Sequence, residues 1–251
     1  MFDYRHQLDG RIALITGAAA RIGATTARYL HAAGCDVILH YRSSADRARK
    51  LAQVLNSDRA DSAYTVQGDL ADMQGLEGLA DAAVAIRGHL DVLVNNASSY
   101  YPTPLGSVTQ EQWDDLFASN ARAPFFLSQA LAPTLKERRG CIVNLVDIHA
   151  DRPNANHPVY SMAKAANAMM VKSLARDLAP EIRVNGVAPG AALWPEHYFD
   201  DADRQEILKR IPMGRPAGAE QIAQAVLFMV AGTDYVTGQI LAVDGGRSVQ
   251  Q

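Results

Sequence analysis

The chain has 251 residues, 48% hydrophobic and 20% charged, with a formal net charge of −3 at pH 7. That composition supports a large core and excludes a disordered chain. The weakly acidic balance gives no electrostatic basis for binding nucleic acid or an anionic membrane. No apolar run reaches the roughly 18 residues needed to cross a bilayer. The opening stretch MFDYRHQLDGR has no apolar segment, so no signal peptide is expected and a cytoplasmic location fits. Cys35 and Cys141 stand far apart at the starts of apolar runs. They are expected to be small core residues, not a disulfide or a metal pair, and no metal site is expected.

In chain order, short apolar runs occur at 12–16, 37–40, 63–67, 92–94, 141–146, 183–187 and 240–243. Amphipathic stretches such as 22–33 and 160–178 lie between them. Continuous rather than alternating hydrophobicity suits strands buried on both faces of a parallel sheet. The alternation predicts one α/β domain over 1–251, a Rossmann-type doubly wound parallel sheet of about seven strands flanked by helices. The longest irregular stretch, 190–216, contains Trp194, Pro195, His197 and Tyr198 and a short helical piece around 203–210. Such an excursion reads as a substrate loop or as an oligomer contact.

The first run leads into Thr16-Gly17-Ala18-Ala19-Ala20-Arg21-Ile22-Gly23 and then a helix. Small residues there let backbone approach a pyrophosphate, and the helix N-terminus offers it free N–H groups. After the second run, where NADH-selective folds place Asp or Glu, the chain reads His40-Tyr41-Arg42-Ser43-Ser44. Arg42 and Arg21 could together meet a 2′-phosphate; the alternative is a solvated loop arginine.

Tyr160 and Lys164 are spaced i, i+4, one helical turn apart on one face. A nearby cation is expected to lower the phenol pKa, and such a tyrosine can pass a proton while a nicotinamide passes hydride. A surface Tyr–Lys pair is the alternative. Asp147, thirteen residues before Tyr160 and just past an apolar run, either handles a second proton or caps a turn.

Together Thr16-Gly17 with Gly23, Asp69-Leu70, Asn95-Asn96-Ala97, Asn120, Tyr160 with Lys164, Pro189-Gly190 and Asp244-Gly245-Gly246 resemble the short-chain dehydrogenase/reductase family. The resemblance implies a nicotinamide cofactor and frequently a homotetramer. It implies that Asn120 helps hold a relay water behind Lys164 and that Asp69 accepts from the adenine amino group. It also implies that the turn at Asn96 and Ala97 flanks the adenosine. Three departures resemble the pteridine reductase subfamily: Arg21 replaces a glycine, Ser98 follows Ala97, and Asp147 replaces the usual serine. So do His40-Tyr41 and the string NNASSYYPTPL from Asn95 to Leu105. That subfamily implies NADPH and a pterin stacked on Tyr100, with Ser98 near cofactor phosphate and pterin and with Asp147 and Tyr160 supplying protons. Trp194 joins this set as an expected substrate contact. Dihydromonapterin reduction, 3-oxoacyl thioester reduction and a non-catalytic NADPH-binding regulator are the rival expectations. The apolar stretch 222–230 with 236–243 is expected to support a homotetramer.

Overall fold

The computed structural model describes residues 6–192 and 201–250, leaving out the side chains of 201–203. Trp194, Pro195, His197 and Tyr198, named above for the substrate loop, lie outside the described residues. Seven strands form one all-parallel sheet: β1 Ile12–Ile15, β2 Asp36–Tyr41, β3 Ala63–Gln67, β4 Val92–Asn95, β5 Cys141–Leu145, β6 Arg183–Pro189 and β7 Ile240–Val243. Their spatial order is β3-β2-β1-β4-β5-β6-β7, with every pairing parallel. The helices are α1 Arg21–Ala32, α2 Ala45–Asp58, α3 Gly75–Ala85, α4 Gln110–Phe117, α5 Ala123–Glu137, α6 Pro158–Leu178, α7 Asp201–Lys209 and α8 Ala219–Leu227.

The central strands are apolar throughout because both their faces are covered. In β1, Ala13 and Ile15 enter one core with Leu30 of α1, Leu51 of α2 and Val226 of α8. Ile12 and Leu14 enter the opposite core with Leu79 of α3 and Leu127 of α5. Each fully buried aliphatic side chain there contributes about 1.5–3 kcal/mol. Cys35 and Cys141 are buried free thiols within the first of these cores. The edge strands differ: β3 is only partly buried beyond Ala63, and Leu241 and Ala242 of β7 are exposed.

Helix faces follow the same logic. α1 buries Gly23, Thr26, Ala27, Leu30 and His31 at spacings of three and four. α4 opens with a capping box, in which Gln112 N donates to Thr109 Oγ1 (3.3 Å) and Thr109 N donates to Gln112 Oε1 (3.0 Å). Because β1 lies between β2 and β4, connections leave its carboxyl end in opposite directions, and a crevice opens there.

Candidate active site

The crevice encloses about 1070 Å³. The sheet order places residues following β2 at one end of it and residues following β5 and β7 at the other. Between β1 and α1 its wall is backbone. Gly17 has φ +63°, and a Cβ there would approach Ala97 Cα to 3.1 Å. A Cβ on Gly23 would collide with Gly17 O and lie 2.6 Å from Asn96 Nδ2. Thr16 Oγ1 accepts from Asn96 N (2.9 Å) and Ala97 N (3.0 Å), and Asn96 Nδ2 donates to Thr16 O (2.8 Å). The end of β4 is thereby stapled to the turn. This close, glycine-dependent backbone followed by a helix N-terminus fits a dinucleotide pyrophosphate.

Arg21, Ile22, Tyr41, Arg42 and Ser43 all line the crevice. Arg21 sits at φ +52°, in the left-handed conformation that favours glycine. That geometry costs a non-glycine residue roughly 1–2 kcal/mol. Ser44 and Arg47 also line this end. The first carboxylate after β2, Asp46, is fully exposed and reaches Arg49 at 3.9 Å. This end of the crevice carries three guanidinium groups, of Arg21, Arg42 and Arg47, and the hydroxyls of Tyr41, Ser43 and Ser44.

His40 lies behind the turn and is buried. Its Nδ1 accepts from Gly17 N (3.1 Å) and its Nε2 donates to Gly68 O (3.1 Å), so both nitrogens are used within the chain. Burial lowers its pKa, against opposing effects of the Gly68 carbonyl and the Asp69 charge. Asp69 is exposed, accepts from Ala71 N (2.9 Å) and is outside the crevice wall. Leu70 is buried in the core under α3.

Beyond β5 the wall is made of side chains. Asp147 divides its carboxylate: Oδ1 accepts from His149 N (2.9 Å), capping the short 3₁₀ turn Ile148–Ala150, and Oδ2 accepts from the Tyr160 hydroxyl (2.7 Å). The capping role that the sequence left open is present, and the other oxygen contacts Tyr160. Tyr160 is buried, and its pKa is raised well above the ordinary phenol value, by burial first and then by the Asp147 charge and hydrogen bond; Ser98 opposes this. The expectation that Lys164 lowers it is therefore reversed. Lys164 Nζ lies 5.7 Å from the Tyr160 ring centroid and donates to Leu145 O (2.8 Å). Burial pulls the lysine itself down to about 8, against the attraction of Asp147. Burial and a carboxylate in direct contact outweigh the buried ammonium a turn away.

Tyr100 stands edge-on to Tyr160, with centroids 4.8 Å apart at 81°. It also stacks on His157 at 4.7 Å and 11°, and its hydroxyl accepts from Asn154 Nδ2 (3.0 Å). Ser98 Oγ donates to Asn120 Oδ1 (2.8 Å), and Asn120 Nδ2 donates to Ser99 O (3.0 Å) and Leu116 O (2.9 Å). Asn120 occupies a π-helical turn, Ala118–Arg122, and its amide clamps the loop that carries Ser98. Ser98, Asn96, Ala97, Pro189, Gly190 and Lys164 line the crevice with Tyr100, Asp147 and Tyr160. Asn120, like His40, Asp69 and Leu70, does not.

Sequence reasoning missed a chain of buried amides. Asn95 Nδ2 donates to Asn144 Oδ1 (2.9 Å), Asn144 Nδ2 to Asn167 Oδ1 (2.9 Å), and Asn167 Nδ2 to Asn120 O (2.7 Å). The chain ties β4, β5 and α6 to the π-helical turn, and its signal was a polar Asn144 within the apolar run CIVNL. Asn154, Arg47, Arg210 and Arg247, which reach the crevice from four segments, were also missed, as was His157, which stacks behind Tyr100. Among the described residues no helix is long and apolar enough to cross a membrane.

Residues 17–248 match the family model described as enoyl-(acyl carrier protein) reductase. Pteridine reductase 1 of Leishmania tarentolae is 38% identical, covering 95% of this chain and 96% of that protein. L-xylulose reductase of Bos taurus is 35% identical (96% and 97%), and 7alpha-hydroxysteroid dehydrogenase of Escherichia coli K12 is 34% identical (96% and 95%). With this sheet, this glycine turn and this Tyr160–Lys164 helix, the chain belongs to the short-chain dehydrogenase/reductase family of nicotinamide-dependent oxidoreductases.

Proposed function

We propose that the protein reduces ring C=N bonds of pteridines, of dihydrobiopterin type and extending to dihydrofolate and folate, with NADPH as cofactor. The observation that carries the reading is the Asp147–Tyr160 pair, 2.7 Å apart, beside the Tyr100 ring on the crevice wall. The likeness to a pteridine reductase supports it. NADPH is supported by Arg21, Arg42 and Arg47 at the end of the crevice near β2.

When bound, NADPH supplies the hydride. Reduction of one C=N adds that hydride at carbon and a proton at nitrogen. Tyr160, held protonated across neutral pH by burial and Asp147, is the proton donor. A substrate ring N–H donating to Asp147 Oδ2 takes the place of the Tyr160 hydroxyl there and frees it for the neighbouring ring nitrogen. For a second C=N bond, Asp147, an acceptor at both oxygens, relays a proton that it first takes up from solvent water. Lys164, fixed by Leu145 O, holds the nicotinamide ribose, and Tyr100 offers aromatic stacking worth about 0.5–1.5 kcal/mol beyond burial. Asn120 positions Ser98 for cofactor and pterin.

The segment 190–216 is the substrate loop in this reading, since Gly190, Glu206 and Arg210 line the crevice. A cytoplasmic location suits the two free thiols. A homotetramer is supported by exposed Phe125, Phe126, Met169, Phe228 and Leu241. Ile222 and Val226, part of the apolar stretch that suggested it, are spent on the core instead.

Steady-state NADPH oxidation against biopterin, dihydrobiopterin, dihydromonapterin, dihydrofolate, folate and an acetoacetyl thioester tests the reading. A pterin or folate of this panel is expected to give a higher kcat/KM than the thioester. Preference for the acetoacetyl thioester overturns it.

A further inference from the structure

β7 ends at Val243, and the chain then turns through Gly245 (φ +65°) and Gly246 (φ +87°). Asp244 holds the turn: Oδ1 accepts from Gly246 N (2.9 Å) and Oδ2 from Ser248 N (2.6 Å). Although burial pushes the Asp244 carboxyl up, these bonds keep it below the usual carboxylate range. The turn is wedged in place. A Cβ on Gly245 would come within 2.8 Å of Ile211, one on Gly246 within 3.0 Å of Pro212, and one on Gly190 within 2.7 Å of Asp244 Cβ. Met213 N donates to Gly245 O (3.1 Å). The ends of β6 and β7 and the segment after α7 thus form one packed unit.

That unit presents Arg247 to the crevice. Arg247 is half-buried in the same wall as Tyr100, Asp147 and Arg210. Burial disfavours its charge, the Asp147 charge offsets that, and Arg210 adds to it. Arg210 is held by Glu206 Oε1 at 3.0 Å, whereas among the described residues no carboxylate pairs with Arg247. A guanidinium partly removed from water without an anion is poorly compensated, and its planar fork suits a carboxylate or phosphate.

We propose that Arg247 is a specificity-determining residue that anchors an anionic substituent, carboxylate or phosphate, carried by the substrate outside its reacting ring. Arg210 adds positive charge at the same wall. The inference rests on the pteridine reading and narrows it: the preferred substrates are pterins with a charged tail, not those with a neutral hydroxylated side chain.

The test compares kcat/KM, at saturating NADPH, for dihydrobiopterin (neutral tail), dihydrofolate (carboxylate tail) and a phosphorylated dihydropterin. The native protein is expected to favour at least one anionic substrate over the neutral one by roughly ten- to a hundredfold, the scale of one charge-assisted contact. The carboxylate and phosphate arms show which anion is bound. In Arg247→Gln that ratio collapses towards one, mainly through KM; Arg247→Lys restores part of it. A ratio near one in the native protein, or an equal ratio in Arg247→Gln, overturns the inference and leaves the pteridine reading standing. No turnover of any dihydropterin overturns both.

Discussion

Between β1 and α1 the crevice is walled by backbone that admits no Cβ at Gly23, whereas beyond β5 it is walled by side chains that hold one another. The first half is stiffened from behind, by His40 across Gly17 and Gly68 and by Asn96 across Thr16 and Gly17. The second half is stiffened from within: Asp147 holds Tyr160, Asn154 holds Tyr100, and Asn120 holds Ser98. A pyrophosphate and its riboses are the same for every reaction, so a rigid peptide cradle serves them. A reacting ring differs between substrates, and replaceable side chains are where relatives named for a pteridine, a sugar and a steroid can diverge.

The largest effects should separate the two halves. Asp147→Ser and Tyr160→Phe should each lower pterin turnover by roughly 10²–10⁴, the scale of losing a positioned acid–base group. The double variant should lose less than the product, because the residues act as a pair. NADPH dissociation constants, measured by fluorescence titration, should stay within about twofold, well inside the factor of ten that 1.4 kcal/mol represents. A parallel loss of cofactor affinity would show that the halves are not separable.

Arg42→Asp should weaken NADPH binding by roughly ten- to a hundredfold, the worth of one charge-assisted contact, and leave NADH binding nearly unchanged. Equal losses for both cofactors would remove the 2′-phosphate assignment while leaving the catalytic half untouched.

The smallest effect lies in the support behind the turn. His40 is neutral in the fold with its pKa lowered by burial, so the unfolded chain takes up its proton first on acidification. Its contribution is complete above the unfolded value of about 6.5 and is lost as pH falls through the folded value. Protonated Nδ1 also cannot accept from Gly17 N. His40→Gln should therefore lower Tm by roughly 2–4 °C at pH 8, for about 1 kcal/mol in a domain of this size. The gap to the native protein should narrow towards pH 5. A gap independent of pH would assign His40 a packing role only.

Much of this was legible from the order of residues. Each of the seven strands was foreseen to within two residues at either end, because a parallel sheet covered on both faces demands continuous apolar runs, and local composition records that demand. The glycine turn and the cations after β2 were legible for the same reason: pyrophosphate binding uses neighbours in sequence. His40 was placed near the cofactor by resemblance, but only the fold shows that its nitrogens bridge Gly17 and Gly68.

The catalytic half needed the tertiary structure. Tyr160 and Lys164 share a helix turn, and the sequence alone argued that the cation sets the phenol. The fold brings Asp147, thirteen residues away, into contact and sends the lysine to Leu145 O, so the carboxylate prevails. Arg247 and Asn154 reach the crevice from two separate loops, and His157 backs the Tyr100 ring, arrangements that no local pattern ties together. Periodicity and turn chemistry are properties of adjacent residues and survive in the sequence. Burial and the distance between charges are set by how distant segments pack, and in this protein they decide which group holds the proton.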